Sequence, residues 1–418
     1  MTQWSPVWNV EIDGVEYTDA VLANLTIRNG RTNIYEQAQA GYVNLQLIDV
    51  NQTAIPVNIN STITVEVQDT SGTFVPIFGG NVVDIGLEVR DVGSTMFTQT
   101  YSITALGALS RLPKVIFTDG LARDFDGDQI FEVLSTVLFN TWAQVAPLVT
   151  WGTYTPAGTT WANAENNGLG EIDRPGNYDL AARGSGQDPI DVYSLVSALA
   201  TSGLGYLYED AQGRIGYADS THRTQYLSAN GYVDLDANHA RAAGLRIETR
   251  VGDVRNAITI KYGATSSSDV SASDADSIAI YGNLAQIITT TLHDATDANN
   301  QAAFYLSLRA NPQPIFKEIS FDLTNPEIDN SDRDALLNVF MGEAISLNNL
   351  PLNMSSGTFQ GFVEGWSFQA AYNRLSVTLL LSPLAYSLQA MRWNDVPITE
   401  TWSSVSPTLD WANATIVA

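Results

Sequence analysis

The sequence predicts a mainly β protein with an α+β insert, and three observations lead to this fold class. Short runs of alternating apolar and polar residues recur towards both ends of the chain, a pattern typical of half-buried strands. Between these regions, apolar residues recur at helical spacing. A last segment shows neither pattern. We therefore expect two β-barrel-like domains at 1–118 and 226–385, a helix and hairpin domain with a long loop at 119–225, and an extended C-terminal arm at 386–418.

The first β region opens with a predicted hairpin over 8–15, whose turn is formed by Asp13 and Gly14. Further strands are expected at 25–31, 41–49, 61–68, 79–85 and 98–106, each separated from the next by turn residues. Several short strands at similar spacing indicate a barrel or a sandwich.

The middle of the chain predicts two helices and a hairpin. Apolar residues at helical spacing predict a helix over 129–146, ended by Pro147. The second helix is expected to have Asp188 as its N-cap and Pro189 at its first position, and to end at Gly203. A hairpin then follows, with strands at 206–210 and 214–217.

The segment between the two helices, 148–187, is predicted to be a long loop that contains Trp151 and Trp161. A loop of this length is usually functional, part of an assembly contact or disordered. The two indole rings either stack on sugar rings or pack the loop onto its own domain, and the second use is the commoner one.

The second β region combines helices with a meander. Asp294 is expected to cap a helix that runs to Arg309, and a shorter helix is expected over 332–340. The serine-rich segment 266–274 is predicted to be a polar loop. Strands are expected at 256–262, 319–323, 344–347, 361–368 and 375–379.

The residues of both β regions carry a family resemblance. The second region contains Gly-Glu-Ala-Ile-Ser-Leu-x-x-Leu-Pro at 342–351, then Gly-Phe-Val-Glu-Gly-Trp-Ser-Phe at 361–368 and Leu-Ser-Val-Thr-Leu-x-Leu-Ser-Pro at 375–383. The first contains Arg-x-Gly-Arg at 28–31 and Phe-Gly-Gly-x-Val-x-Asp-Ile at 78–85. In this order, roughly from residue 25 to 383, the chain resembles phage tail hub proteins, the baseplate-hub or tail-associated minor tail protein family.

The resemblance implies a homotrimer at the tip of a virion tail, in which each chain supplies two similar barrels and three chains form a ring. It further implies that the tail tube or distal tail protein, the tape-measure protein and the tail fibre or receptor-binding proteins are neighbours. Opening of the ring on host contact would release the tape-measure protein and then DNA. The implied subunit or partner contacts lie in the insert, with Trp151 and Trp161, and in the arm, with Trp393, Trp402 and Trp411.

Composition agrees with a protein-contact role and disfavours nucleic-acid binding. Forty-five acidic and 20 basic residues give a net charge of −25, whereas a nucleic-acid groove requires clustered Lys and Arg. Charged residues make up only 16% of the chain, and such a surface desolvates few charges on burial. The chain has no cysteine, no secretory signal at its start and no apolar run of the roughly 20 residues that a membrane span needs.

We expect no catalytic, cofactor or metal site. His222, His239 and His293 lie in different segments without metal-ligand spacing. The acidic run 124–128 departs from a calcium loop, because Gly127 comes too early and Ser135 stands where the twelfth-position glutamate belongs. We therefore interpret it as a turn before a helix. With 45 acidic residues, carboxylate pairs arise by chance and do not indicate a glycosidase.

Two alternatives stay open. A carbohydrate-binding or glycan-degrading β-protein is favoured by the tryptophan-containing loop and the acidic character, and a receptor-binding tail protein shares the all-β pattern. The arm at 386–418 is expected either to contact a neighbouring subunit or to fold back on its own barrel, since both would bury its tryptophans.

Overall fold

The computed structural model describes residues 4–17, 21–49, 55–90, 98–141, 160–162, 169–240, 246–316, 318–354, 357–371 and 373–388. The first β region forms the strands that its alternation predicts. They are β1 (Trp8–Ile12), β2 (Val15–Glu16), β3 (Val21–Gly30), β4 (Tyr42–Asp49), β5 (Thr62–Gln68), β6 (Phe74–Arg90) and β7 (Thr98–Leu106). In β4, Val43, Leu45 and Leu47 are fully buried, while the residues between them are half-buried. β6 is much longer than predicted.

The middle segment begins with a 3-10 helix over Ala108–Lys114. It continues with β8 (Ile116–Phe117), β9 (Asp124–Phe125), α1 (Asp126–Thr141), β10 (Thr160–Ala162), β11 (Leu169–Arg174), β12 (Asp179–Leu180), β13 (Ile190–Asp191), α2 (Val192–Ser202), β14 (Tyr206–Glu209), β15 (Ile215–Ala218), α3 (His222–Asn230) and β16 (Val233–Asp236). The predicted hairpin is confirmed, because β14 and β15 pair antiparallel.

Two predictions in this segment are wrong. The N-cap of α2 is Asp191, whose side chain accepts a hydrogen bond from the Ser194 backbone N–H, and Asp188 lies outside the helix. Ile190 is held in an extended conformation because it pairs with Phe117, so the helix starts later than the Asp-Pro pattern suggests. The expected loop 148–187 also contains β11, which pairs with β15. The end at Gly203 is confirmed.

The remaining elements start after a 3-10 turn at Ala237–His239. They are β17 (Ile247–Glu248), β18 (Ala257–Tyr262), β19 (Ser268–Ser273), α4 (Ala275–Tyr281), β20 (Ala285–Thr289), α5 (Ala295–Arg309), β21 (Ile315–Phe316), β22 (Glu318–Asp322), α6 (Asn330–Leu337), β23 (Ala344–Asn348), β24 (Phe359–Ala371) and β25 (Arg374–Pro383), followed by a 3-10 turn at Leu384–Tyr386. Asp294 caps α5 as predicted.

The polar segment 266–274 is not a loop over most of its length, because β19 pairs antiparallel with β18. Ser271 and Ser273 face water, and the hydroxyl oxygens of Ser271 and Thr259 lie 2.8 Å apart across the two strands. Val270 and Ala272 alternate with these serines and are half-buried against the core. The short helix is also displaced. α6 begins at Asn330, capped by Asp329, and ends at Leu337.

One 12-stranded sheet joins the two β regions. Its order is β16-β23-β24-β3-β4-β7-β6-β5-β1-β2, and β25 pairs with both β24 and β22. The connection is made by β3 and β24, which pair antiparallel from Gly30 opposite Gly365 to Asn24 opposite Ala371. The mainly β fold class is therefore confirmed, and the domain boundaries stay predictions.

Smaller sheets and helices complete the structure. β10, β11, β15 and β14 form a four-stranded sheet, and β19, β18 and β20 form a three-stranded sheet against which α5 packs. In the described part of the chain, no helix is long and apolar enough to cross a membrane.

Candidate functional site

A β-bulge marks the place where the two β regions meet the middle segment. β24 pairs with β25 in two registers that are offset between Val363 and Gly365, so Glu364 is the extra residue. The Glu364 carbonyl accepts a hydrogen bond from the Arg31 backbone N–H at 2.8 Å. Gly30 approaches so closely, at φ +83°, that a methyl group there would overlap the Glu364 backbone.

The Glu364 side chain lies at the centre of a buried ionic cluster, here called the Glu364 cluster, formed with Arg31, Arg223 and Ser382. Arg31 Nε lies 2.7 Å from its carboxylate, and Arg223 binds both carboxylate oxygens, at 2.8 and 3.0 Å. The Ser382 hydroxyl donates a further hydrogen bond at 2.5 Å. Arg31 follows β3, Arg223 belongs to α3 and Ser382 belongs to β25, so one carboxylate connects three parts of the chain.

The cluster keeps Glu364 ionised. Burial alone would raise the pKa of its carboxyl group, but the charges of Arg223 and Arg31 and the hydrogen bonds from Arg223 and Ser382 outweigh burial and lower this pKa to about 2. The side chains of Glu364, Arg31 and Arg223 are 1%, 5% and 7% exposed, so little water screens their attraction. The Tyr206 ring packs against both guanidinium groups, at 5.2 Å from Arg31 and 4.6 Å from Arg223.

A second buried carboxylate, Glu209 of β14, holds the hairpin of the middle segment against the first β region. Its two oxygens accept hydrogen bonds from the backbone N–H groups of Gly41, at 2.6 Å, and Leu109, at 2.5 Å. Burial is the main cause that raises the pKa of Glu209, to about 8, against the opposing effect of these two bonds. Beyond it, the turn of the hairpin touches β6, where Gly213 and Gly79 meet with no room for a side chain.

The middle segment has its own buried polar network. The Asp126 carboxylate, at the start of α1, accepts hydrogen bonds from the backbone N–H groups of Asn177 and Tyr178, each at 2.8 Å, and from the Tyr217 hydroxyl. Burial raises the pKa of Asp126 to about 7. The acidic run at 124–128 thus supplies a buried anchor for α1 as well as acids at its positive end.

Neither His222 nor His239 is a simple surface residue. His222, 1% exposed, lies with Nδ1 2.7 Å from the Asp173 carboxylate. His239 and Asp332 are 2.8 Å apart, and with Asp329 their ligand atoms lie within 4.8 Å of one another. Both acids already serve as helix and backbone acceptors, since Asp329 caps α6 and Asp332 binds the Asp236 N–H. These hydrogen bonds account for the positions of both acids.

Comparison with known proteins was informative for structure alone. No protein-family model matches this sequence, and no curated protein matches it either. A tail protein from Neisseria meningitidis MC58 superposes with a TM-score of 0.56 at 12% identity, over 92% of this chain and 98% of that one. The prophage MuSo2 43 kDa tail protein from Shewanella oneidensis superposes with a TM-score of 0.53 at 12% identity, over 90% of this chain and 98% of that one.

The chain has the fold of phage tail proteins. Within this tail-protein fold, the Glu364 cluster lies at the join of β3 and β24, where the two β regions become one sheet. Sequence reasoning noted the Gly-Phe-Val-Glu-Gly-Trp motif as a strand but assigned Glu364 no role. An acid inside an apolar strand is the pattern that could have indicated it, because burying a carboxylate requires a partner.

In the described part of the sheet, the far half of β6 has an open edge. β5 pairs with β6 only from Phe74 to Asn81, whereas β6 continues to Arg90. No other strand of the described residues pairs with this far half of β6 on the side away from β7. Leu87 and Val89, two residues apart beyond the register shift, share one face of this open edge and are 56% and 43% exposed. Val83, at the register shift itself, is 42% exposed. Open backbone N–H and C=O groups beside apolar side chains favour pairing with another chain.

The predicted contact tryptophans fall almost entirely outside the described residues. Four of them lie outside the described residues: Trp151, Trp393, Trp402 and Trp411. For Trp161 the structure describes only the backbone, which lies in β10 and pairs with Asp173 of β11. These five residues remain predictions.

Proposed function

We propose that this protein is a structural, non-enzymatic subunit of a phage tail, the hub at its distal end. The observation that carries the proposal is the tail-protein fold, which extends over 92% of this chain and 98% of the Neisseria meningitidis tail protein. Agreement along nearly the whole of both chains supports a shared architecture, including the middle segment. The shared role is proposed by analogy with that fold.

The hub proposal includes a homotrimeric ring with two barrel-like domains, 1–118 and 226–385, from each chain. Its support is the resemblance of both β regions to hub proteins together with the open edge of β6. In a ring with a three-fold axis, the β6 edge of each subunit would meet a different surface of the next subunit. Three such head-to-tail contacts close the assembly. In this proposal, the insert at 119–225 and the arm at 386–418, with Trp393, Trp402 and Trp411, contribute further subunit contacts.

The proposed neighbours are the tail tube or distal tail protein on one side and tail fibre or receptor-binding proteins on the other. The ring would gate passage of the tape-measure protein and then DNA during infection. The net charge of −25 supports this role, because an acidic wall repels a passing polyanion and so prevents adhesion.

Light scattering on the purified protein tests the assembly, and electron microscopy of the same sample tests the ring. We expect a trimer with a central opening, and Leu87→Lys is expected to shift the protein towards monomer by placing a charge on the open edge of β6. Leu352→Lys is the matched control, because Leu352 is a leucine that is 86% exposed on a different surface. A monomeric wild-type protein that binds polysaccharide would contradict the hub proposal and favour a carbohydrate-binding function.

A further inference from the structure

A small cavity lies beside the Glu364 cluster, and its chemistry can be considered independently of a role in a phage tail. Its volume is about 140 Å³, and it lies between the segment after β3, the end of α2, α5 and the turn at Leu384–Tyr386. We call it the arginine pocket, because its lining includes Arg31, Arg223 and Arg309, together with Tyr35, Tyr305 and Tyr386. Tyr35 is 45% exposed, so one wall of the pocket reaches the solvent.

Arg309 is the unusual member of this pocket. Its side chain is buried, with Tyr35 and Tyr386 ring centroids 4.8 and 4.1 Å from the guanidinium carbon. Nη1 donates to the Tyr35 hydroxyl at 3.3 Å, and Nη2 donates to the Tyr386 carbonyl at 3.2 Å. Nε has no hydrogen-bond partner in the described part of the protein, and no carboxylate there forms a salt bridge with Arg309.

An arginine at the end of α5 has an ordinary explanation, because its charge interacts favourably with the helix C-terminus. That interaction accounts for the position of Arg309 but leaves its Nε–H without an acceptor. A buried guanidinium normally binds a carboxylate or a phosphate through two parallel hydrogen bonds. Two weak neutral acceptors at 3.2 and 3.3 Å do not replace such a group.

The charge balance around the pocket is positive, although the whole protein is strongly acidic. Arg31 and Arg223 already share the single carboxylate of Glu364. Asp219 is the other acid of the wall, and one of its oxygens accepts hydrogen bonds from the Thr221 and His222 N–H groups. Three guanidinium groups therefore meet two carboxylates at this pocket, and neither carboxylate forms a salt bridge with Arg309.

Tyr305 adds a neutral donor to the wall that Arg309 and Arg31 also line. Burial raises the pKa of its hydroxyl against the opposite effect of the charges of Arg309 and Arg31, so the phenol stays protonated. A ligand in the cavity would therefore meet a guanidinium edge and a phenol donor together.

We propose that the arginine pocket binds an anionic group, a carboxylate or a phosphate, with the Arg309 guanidinium edge and the Tyr305 hydroxyl as its donors. A cavity of about 140 Å³ accommodates one such group but excludes a nucleotide or an oligosaccharide. The anion is either a free ion or the acidic side chain of a neighbouring protein, since both present the same oxygens.

Calorimetric titration of the full-length protein tests the pocket with inorganic phosphate, glutarate and a blocked peptide that contains one glutamate, in chloride buffer of constant ionic strength. We expect saturable binding of at least one probe. Arg309→Met is expected to weaken it by about tenfold or more, because the anion loses its charge-assisted hydrogen bond. Tyr305→Phe is expected to weaken it severalfold, whereas Arg374→Met, which removes an exposed arginine paired with Asp322, should leave binding unchanged.

Binding strongest for the peptide would identify a protein side chain as the natural ligand, and binding strongest for phosphate would identify a free ion. The proposal is overturned if no probe binds saturably to the wild-type protein, or if Arg309→Met binds as well as the Arg374→Met control. Should Arg309→Met fail to fold, Arg309→Lys retains the charge without the planar fork, and together with Tyr305→Phe it decides the same question by loss or retention of binding.

Discussion

Arg31 and Glu364 are 333 positions apart in the sequence, yet Arg31 Nε lies 2.7 Å from the Glu364 carboxylate in the interior of the protein. The same two residues are also joined by their backbones, through the hydrogen bond from the Arg31 N–H to the Glu364 carbonyl. This contact fixes the end of β3 against the bulge of β24. The continuity of the 12-stranded sheet therefore depends on a buried ion pair as well as on strand pairing.

Glu364→Gln is expected to destabilise the protein by about 3–5 kcal/mol, because it leaves the buried guanidinium groups of Arg31 and Arg223 without a counter-charge. Urea unfolding followed by circular dichroism measures this loss. Arg374→Gln is the control, since the Arg374 side chain is 60% exposed in its pair with Asp322 and should contribute less than about 1 kcal/mol. Equal losses in the two variants would show that the cluster does not stabilise the junction.

Stability is expected to fall as the pH rises from about 5 to about 9. Burial is the main cause that raises the pKa of Glu209 and of Glu343, each to about 8, so both are protonated in the folded protein over most of this range and ionised in the unfolded chain. Asp126, raised to about 7, adds to the same trend. A carboxyl group whose pKa is raised by folding stabilises the protein fully at a pH below its pKa in the unfolded chain. This stabilisation is lost as the pH rises through the pKa of the group in the folded protein.

Glu343→Gln tests this assignment, because the amide imitates the protonated acid at every pH. We expect the free energy of unfolding, measured by thermal denaturation, to depend less steeply on pH in the variant than in the wild type. The difference in slope is up to about 1.4 kcal/mol per pH unit for one group. Glu364 does not contribute to this slope, since its pKa, lowered to about 2, keeps it charged throughout. A wild-type stability that is constant or rises between these pH values would refute the prediction.

Gly79→Ala is expected to destabilise the protein by more than about 2 kcal/mol, since the new methyl group would overlap the Gln212 backbone and push the hairpin of β14 and β15 away from β6. Gly86→Ala is the matched control on the same strand, because its methyl group would meet only Ser102, at an ordinary 3.6 Å. Limited proteolysis alongside urea unfolding distinguishes a detached hairpin from general loss of stability. Similar behaviour of the two variants would exclude the close contact between Gly79 and the Gln212 backbone as the cause of the stability loss.

If the arm docks on a neighbouring subunit, Trp402→Ala is expected to raise the concentration at which the trimer dissociates into monomers. If the arm folds back on its own chain, this concentration should not change. We expect the higher value, because a buried tryptophan at a subunit contact commonly contributes 2 kcal/mol or more, about a thirtyfold change. Light scattering over a dilution series measures it. An unchanged dissociation concentration would remove Trp402 from the subunit contacts.

Local patterns were sufficient for most strands of the sheet. The alternation in 41–49 predicts β4 because a strand with one buried face must repeat every two residues. Asp294 predicts the start of α5 for an equally local reason, since its side chain accepts hydrogen bonds from the Thr296 and Asp297 N–H groups. The prediction that Asp188 caps α2 is wrong because Ile190, two residues later, forms a strand pair with Phe117 of a distant segment.

The sequence by itself determined the mainly β class, the positions of most strands and several helix ends, because these follow from side-chain periodicity and from capping within a few residues. Tertiary structure alone decided that β3 pairs with β24, that Glu364 meets Arg31 and Arg223, and that Arg309 is buried between two tyrosines. Each of those contacts joins residues far apart in the chain. Their energies depend on burial and on the distance between charges, and neither quantity is encoded in a local pattern.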